Sequence, residues 1–161
     1  MIIDLHEYCE SSNENPNVKN KATAYEYLIK RHFEEYFENK DDYKLNLFPI
    51  IGTLTPDLEL SSPLNGHEIV IPIEIKFFDD LSENRKNART KARKRMRDYE
   101  GAYREKLPNA TIIPLFITQN PSFNNNPKKY QCVVVSIEEL RGKSEKIIQE
   151  IEQIIHDYPK K

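Results

Sequence analysis

The sequence predicts a single α/β domain in which a mixed β-sheet packs between helices. Three observations support this class. Apolar residues recur at helical spacing in three segments, and β-branched and apolar residues dominate the segments between them. The predicted order is helix, three strands, helix, one or two strands, helix, which is typical of a sandwich of this kind. The chain has 161 residues, so residues 1–161 are interpreted as one domain of ordinary size.

The first predicted helix covers Ala22–Glu38 and follows an irregular, polar lead-in. Its apolar residues are spaced by three and four, which is typical of one buried helical face. They are Ala22, Tyr25, Ile29, Phe33 and Tyr36. A strand is predicted next over Tyr43–Leu54, where apolar and polar residues alternate before an apolar stretch.

A β-hairpin is predicted to follow this strand. Asp57–Leu60 is expected to be extended, and Ser61–His67 is rich in turn-forming residues, with Asn65-Gly66 at its tip. Glu68–Phe77 is dominated by β-branched residues and is predicted to be the returning strand.

The length of the turn decides the register of this hairpin, and two registers are open. A two-residue loop at Asn65-Gly66 places Asp57 directly opposite Glu74, with their Cβ atoms ~4.5–5.5 Å apart. A seven-residue loop would put Glu74 on the opposite face unless a bulge restored it. In the first register Lys76 lies on the same face as Glu74, ~6.6 Å farther along the strand.

A second helix is predicted over Asn84–Leu107 and ends at Pro108-Asn109. A stripe of small and apolar residues runs beneath a heavily charged outer surface, which predicts close packing on the sheet. The stripe consists of Ala88, Ala92, Met96, Tyr99 and Tyr103.

Two strands and a C-terminal helix complete the predicted fold. The strands are Thr111–Thr118 and Tyr130–Ser136, both rich enough in apolar residues to be buried. Ser136 and Glu139 have the spacing of a capping box, which predicts that the last helix begins there. Its apolar stripe consists of Leu140, Ile147, Ile151, Ile154 and Tyr158.

The composition excludes several classes of protein. Hydrophobic residues make up 38% and charged residues 31%, which excludes a disordered chain without core material. The apolar stretches are shorter than the ~18–20 residues of a membrane span. The first residues lack a basic leader and an apolar run, so no signal peptide is predicted and a cytoplasmic location is expected. Two isolated cysteines, Cys9 and Cys132, have no zinc-binding spacing.

Positive charge is concentrated in the second predicted helix, although the whole chain carries a net charge of −2. The segment from Arg85 to Arg97 holds eight basic residues and no acidic one. Because such a run repels itself along a helix, contact with phosphates is favoured over a merely solvated face. The predicted phosphate contacts are Arg85, Lys86, Arg89, Lys91, Arg93, Lys94 and Arg97.

Asp57, Glu74 and Lys76 form a candidate catalytic group. In the register with the two-residue turn, the carboxylates of Asp57 and Glu74 are close enough to repel each other unless a cation lies between them. Oxygen ligands suit Mg²⁺, which binds through one or two carboxylates together with water and substrate phosphate. A lysine beside them can orient or deprotonate an attacking water, or offset charge on the phosphate. The pattern therefore predicts cleavage of phosphodiester bonds.

This pattern resembles the PD-(D/E)XK nuclease superfamily, which has the restriction endonuclease-like fold. The resemblance rests on Pro56-Asp57, followed by Glu74-Ile75-Lys76 at the end of an apolar strand. That family's core is a helix, a three-stranded meander, a helix and a further strand, which matches the order predicted over roughly Ala22–Ser136. The resemblance implies a restriction endonuclease-like α/β sandwich with the core order helix-strand-strand-strand-helix-strand.

The resemblance also implies a role for each residue. Asp57 and Glu74 are expected to bind the metal, and Lys76 to be the catalytic lysine. Many members carry a glutamate on the first core helix, and Glu26 is the matching candidate for a further catalytic and metal-binding residue. The expected cofactor is Mg²⁺, for which Mn²⁺ can substitute. The expected activity is that of an endonuclease that hydrolyses DNA in restriction, defence, recombination or repair.

Other functions are compatible with the same residues. One alternative is a non-catalytic subunit that binds nucleic acid or assembles with other proteins, and another is a nuclease that acts on RNA. The expected partner is nucleic acid, with DNA favoured and no membrane, and a homodimer or a larger nuclease complex is open. Glu59 shares the strand parity of Asp57, and a structural role is favoured for it over that of an auxiliary ligand.

Overall fold

A mixed six-stranded sheet lies between helices in this computed structural model. The structure describes residues 18–64, 66–78, 85–120, 123, 130–142 and 145–157, and gives the backbone alone for 18–20, 64 and 85–88. The elements, in chain order, are α1 (Val18–Phe37), β1 (Lys44–Leu47), β2 (Leu58–Leu64), β3 (His67–Lys76), α2 (Arg85–Lys106), β4 (Thr111–Ile112), β5 (Leu115–Thr118), β6 (Gln131–Val134), α3 (Ile137–Arg141) and α4 (Lys146–Asp157).

The strand order across the sheet is β1-β2-β3-β5-β6, and the short β4 also pairs with β3. The first three strands form an antiparallel meander. Beyond β3 the pairing becomes parallel, because α2 carries the chain across the sheet before β5 returns beside β3. The predicted α/β sandwich and its core order of helix, three strands, helix and strand are therefore confirmed.

The hairpin of β2 and β3 has the shorter of the two predicted loops. Leu58 pairs with Ile73 and Leu64 pairs with His67, which leaves two residues in the turn. Gly66 has φ 76°, in the left-handed region that such a turn requires and that glycine adopts without steric cost. The prediction of a turn-rich Ser61–His67 is wrong for Ser61–Leu64, which belong to β2. Pro63 is tolerated there because it lies beyond the part of β2 that pairs with β1. Lys44, the first residue of β1, pairs with Ser61, so the edge of β2 that faces away from β3 is unpaired at Pro63.

The two faces of the sheet pack against different helices. On the α1 face, the isoleucines of β3 pack against apolar residues of α1, α3 and α4. On the α2 face, Val70 packs with Ile112, Phe116 and the buried stripe of α2. Because both faces are covered, the central strands are apolar on both sides, as the sequence of β3 and β5 indicates. The isoleucines of β3 on the α1 face are Ile69, Ile71, Ile73 and Ile75.

The predicted boundaries need several corrections. α1 begins at Val18, before the predicted start at Ala22. The strand predicted over Tyr43–Leu54 ends at Leu47, because Phe48 has φ 48° and the chain leaves the extended conformation. The strand predicted over Thr111–Thr118 is divided into β4 and β5 at Pro114, which has no N–H for the ladder.

The single C-terminal helix of the sequence prediction is two helices. The capping box is confirmed, since the Ser136 hydroxyl accepts a hydrogen bond from the Glu139 N–H, and the Glu139 carboxylate accepts one from the Ser136 N–H. The helix that this capping box begins, α3, ends after one turn at Gly142, and α4 begins at Lys146. Tyr158 and the side chain of Ala88 lie outside the described residues. No helix in the described ranges is long and apolar enough to cross a bilayer.

Candidate active site

Asp57 and Glu74 come together where β2 begins and β3 approaches its end. The Asp57 N–H donates to the carbonyl of Ile73 at 3.0 Å. The Asp57 carboxylate accepts from the Ile75 N–H through Oδ2 at 2.8 Å. The paired residues of β2 and β3 end at Leu58 and Ile73, so these two bonds lie just beyond the ladder. They hold Asp57 beside the Ile73–Ile75 segment, which contains Glu74.

Glu74 is buried on the α2 face, with only 7% of its surface exposed. Its Oε2 accepts a hydrogen bond from the hydroxyl of Tyr99, a residue of α2 that is 1% exposed. A buried charge is costly unless it is paired or hydrogen-bonded, so this bond offsets part of the cost of placing Glu74 in the core. Lys76 follows two residues later and is exposed at the end of the strand.

Asp57 influences the pKa of each of the two other candidate carboxyl groups, Glu74 and Glu26. Burial raises the pKa of Glu74 above its ordinary value, and repulsion from Asp57 raises it further. Burial and repulsion from Asp57 also raise the pKa of Glu26, on α1. Burial raises the pKa of Asp57, against the opposing effects of the Ile75 N–H and of Lys30, Lys76 and Arg95. A cation at this place would relieve the repulsion.

Asp57 and Glu74 each keep one carboxylate oxygen that could bind an added cation. Asp57 and Glu74 each use one oxygen in the hydrogen bonds above, and within the described part of the chain no other hydrogen bond or ion pair reaches either carboxylate group. No group of three or more histidine, cysteine or acidic side chains that could hold a metal ion occurs among the described residues. Glu26 is therefore not grouped with Asp57 and Glu74 as a set of three metal ligands. The free oxygens of Asp57 and Glu74 are hard donors, the type that suits Mg²⁺, an ion that binds through one or two carboxylates together with water and substrate phosphate.

A cavity of about 600 Å³ opens beside Glu74, between the end of β3 and α2. Of the candidate catalytic residues, Glu74 and Lys76 line it, whereas Asp57 and Glu26 do not. Basic residues of α2 complete its walls, an arrangement that attracts an anionic ligand toward Glu74. The lining residues are Glu74, Lys76, Phe77, Phe78, Lys91, Ala92, Lys94, Arg95, Asp98 and Phe116.

Aromatic residues fix the floor of this cavity. The Phe78 ring is stacked on the Phe123 ring with centroids 5.2 Å apart, and Phe116 stacks on both. The Phe78 backbone is tied to the side chain of Gln119, which accepts from its N–H at 3.1 Å and donates to its carbonyl. The chain that follows Lys76 is thereby fixed in place.

The predicted phosphate contacts occupy different positions on α2. Lys91 and Lys94 line the cavity. The Arg89 guanidinium lies 5.8 Å from the centroid of the Phe123 ring, and Arg93 is half-buried. Arg97 is exposed but does not line the cavity. The side chains of the two remaining residues, Arg85 and Lys86, lie outside the described residues.

Sequence reasoning missed three contributors to the site. Arg95 lines the cavity and lowers the pKa of both Asp57 and Glu74. Lys30 lies one turn after Glu26 on α1 and also acts to lower the pKa of Asp57. Tyr99 appeared in the sequence only as a core residue. Helical spacing from Lys91 would have indicated Arg95, whereas no sequence signal gives the direction of the Tyr99 hydroxyl.

Glu59 serves the fold. Its Oε2 accepts a hydrogen bond from the Tyr103 hydroxyl at 2.6 Å, and its Oε1 accepts one from Asn46 Nδ2 at 3.0 Å. Both carboxylate oxygens are therefore used within the protein, which supports the structural role that the sequence favours.

Comparison with known proteins finds partial structural similarities. No family model matches the chain, and no curated protein matches it. An XisH family protein from Nostoc punctiforme is 17% identical with a TM-score of 0.45, and the alignment covers 72% of this chain and 93% of that one. An fdxN element excision controlling factor protein from Anabaena variabilis is also 17% identical, with a TM-score of 0.45 over 72% of this chain and 92% of that one.

The restriction endonuclease FokI is a third similar structure. It is 12% identical with a TM-score of 0.46, and 99% of this chain aligns with 34% of FokI.

Proposed function

We propose that this protein is a Mg²⁺-dependent nuclease of the PD-(D/E)XK superfamily, an endonuclease that hydrolyses DNA. The observation that carries the proposal is the nearness of two carboxylates to a basic cavity. The Asp57 side chain is bonded to the Ile75 N–H, and Glu74 and Lys76, on either side of Ile75, line the cavity. Two neighbouring carboxylates with raised pKa values beside several cations are typical of a functional site.

The carboxylates are proposed to hold the metal. Asp57 and Glu74 would bind it through the oxygens that are not engaged by Ile75 and Tyr99. Glu26 would support it from α1, directly or through water, because it lies near enough for Asp57 to raise its pKa. When bound, Mg²⁺ or Mn²⁺ activates water and offsets the negative charge of the reacting phosphate.

The cations are proposed to hold the substrate and assist the attack. Lys76 would orient or deprotonate the attacking water, or offset charge that develops on the phosphate. Lys91, Lys94 and Arg95 would contact phosphates of the bound strand from the cavity wall. Because such contacts release counterions, binding is expected to weaken as the salt concentration rises. Action as a homodimer or within a larger complex, and a cytoplasmic location, complete the proposal.

Cleavage of supercoiled plasmid in Mg²⁺, Mn²⁺ or EDTA tests the function. The native protein is expected to cut in either metal and to be inactive in EDTA. Asp57→Ala is expected to abolish cutting, and Lys76→Ala to lower the rate by ~10²–10⁴-fold while DNA binding is retained. Lys106→Ala is the matched control, since Lys106 lies at the other end of α2, away from the cavity.

Normal cleavage by Lys76→Ala would contradict the assignment of the site. A native protein that cuts neither DNA nor RNA in any metal, yet binds DNA, would favour the non-catalytic subunit. Preference for RNA over a matched DNA would replace the proposed substrate and leave the site residues unchanged.

A further inference from the structure

A short apolar loop next to Asp57 is exposed to solvent. The side chains of Leu47, Phe48 and Ile50, which we call the apolar tip, are 45%, 55% and 74% exposed. They are the large hydrophobic residues that are exposed in the described part of the chain. Scattered exposure of single apolar residues is ordinary, but three in one loop beside a candidate active site indicate a binding surface.

The apolar tip is held at a fixed place relative to the candidate site. The Phe48 N–H donates to the carbonyl of Asp57 at 3.2 Å, just beyond the last residue pair of β1 and β2. This bond holds the backbone of Phe48 beside that of Asp57. The spacing of ~4.8 Å between hydrogen-bonded chains corresponds to about one to two nucleotide steps along a duplex.

The conformation of the loop keeps Phe48 outside the core. Phe48 has φ 48°, a left-handed conformation that a bulky residue rarely adopts. On the far side of the tip, Ile51 and Leu54 exchange two backbone hydrogen bonds of 2.9 Å, which closes the loop. Residues held in such sparsely populated conformations cluster at binding sites, and this conformation keeps the exposed Phe48 ring available to a ligand.

The charges around the apolar tip select the kind of ligand. The Lys30 ammonium lies 3.8 Å from the centroid of the Phe48 ring. Lys76 and Arg95 line the cavity at the end of β3, the strand that pairs with β2 beside this loop. A ligand that meets this surface must offer flat apolar faces beside negative charges. Nucleic acid has both, and aromatic side chains stack on bases of any sequence.

We infer that the apolar tip stacks on nucleobases that are unpaired or unstacked close to the cleaved phosphate. The inference rests on the proposed function and narrows its substrate. In an intact duplex the base faces are covered by their neighbours, so Phe48 can reach them only where the helix is open or opens on binding. The protein should therefore prefer single-stranded, branched or locally melted DNA to a continuous duplex.

Binding in EDTA tests the inference without cleavage. The probe is a DNA oligonucleotide that carries 2-aminopurine at successive positions of a single-stranded segment, with the same sequence in a full duplex for comparison. The native protein is expected to bind the single-stranded form more tightly and to change the fluorescence at one or two positions. Phe48→Ala is expected to weaken this binding by ~5–150-fold and to remove the fluorescence change.

Two further variants separate stacking from simple apolar contact. Phe48→Trp keeps an aromatic face and should restore binding, whereas Phe48→Leu keeps the apolar character alone and should not. Equal affinities for all four proteins, or for both DNA forms, would overturn the inference. A second copy of this chain is the competing occupant, and loss of a dimer in sedimentation on Phe48→Ala, with DNA binding unchanged, would favour it.

The outcome separates the inference from the proposed function. A chain that cuts DNA with Phe48→Ala as active as the native protein would refute the stacking role and retain the nuclease. A chain that never cuts, but loses single-strand binding with Phe48→Ala, would retain the stacking role and refute the nuclease. Failure to bind any DNA would refute both.

Discussion

The two faces of β3, the central strand of the sheet, make different contributions: one stabilises the fold and the other carries candidate catalytic residues. On the α1 face, β3 presents four isoleucines to an apolar core. On the α2 face, the alternate residues include Glu74, which is buried and bound by Tyr99, and Lys76 at the exposed end. Since successive residues of a strand point to opposite sides, one strand can stabilise the fold on one side and carry a reactive group on the other. Substitutions on the two faces should therefore have separable effects.

The largest expected effect in this comparison is a loss of stability on the α1 face. Ile71→Ala removes a side chain that is 2% exposed, and a substitution of this kind lowers the free energy of unfolding by ~2–5 kcal/mol. Denaturant unfolding measures the loss. The cleavage rate per folded molecule at low temperature should be unchanged, and a large fall in that rate would show that the two faces are coupled.

A smaller effect is expected from two tyrosines of the α2 face. Tyr99→Phe and Tyr103→Phe each remove a hydroxyl that donates to a carboxylate, which is worth roughly 1.5–3 kcal/mol. Only Tyr99→Phe should also weaken metal binding, because Glu59, the partner of Tyr103, lies outside the candidate metal pair. Calorimetric titration with Mn²⁺ and thermal unfolding distinguish the two effects. Equal metal affinity in both variants would make Tyr99 purely structural.

The smallest expected effect is a change in the pH dependence of stability. The raised pKa of Asp57 means that the folded state binds its proton more tightly than the unfolded state. Stability therefore falls as pH rises from the ordinary pKa of an aspartate toward the raised value, and the cost is complete once the pH exceeds the raised value. Asp57→Asn removes the charge, so we expect it to unfold at a higher temperature than the native protein at pH 7, by ~0.5–2 kcal/mol in free energy.

The same variant should lose this advantage in acid. At a pH well below the ordinary pKa, both proteins are neutral at this position and should unfold at similar temperatures. Thermal melts from acid to neutral pH, with and without Mg²⁺, measure the difference. An advantage that is equal at every pH would assign it to packing instead of charge.

Much of the fold could be predicted from local patterns. The Asn65-Gly66 turn and the alternation of Glu68–Phe77 predict the register of the hairpin, in which Leu58 pairs with Ile73 and Leu64 with His67. The helical stripe of α2 predicts the buried side of that helix. Each of these signals depends on residues close together in the sequence, where geometry leaves few choices.

The rest depends on contacts between distant segments. The hydroxyl of Tyr99 bonds a residue 25 positions away, and the apolar character of the residue gives no indication of it. The separation of α3 from α4 was missed because the apolar spacing continues across Gly142, although the helix ends there. The position of Arg95 in the cavity wall depends on how α2 packs over β3, which local sequence patterns do not give.

The β2–β3 turn has a practical consequence. Gly66 lies at the opposite end of the hairpin from Asp57, separated by the seven residue pairs of β2 and β3, or ~23 Å. A fluorophore or a surface tether attached beside this turn would leave the basic cavity clear. The hairpin thus offers an anchoring point from which single molecules of DNA could be watched as they meet the site.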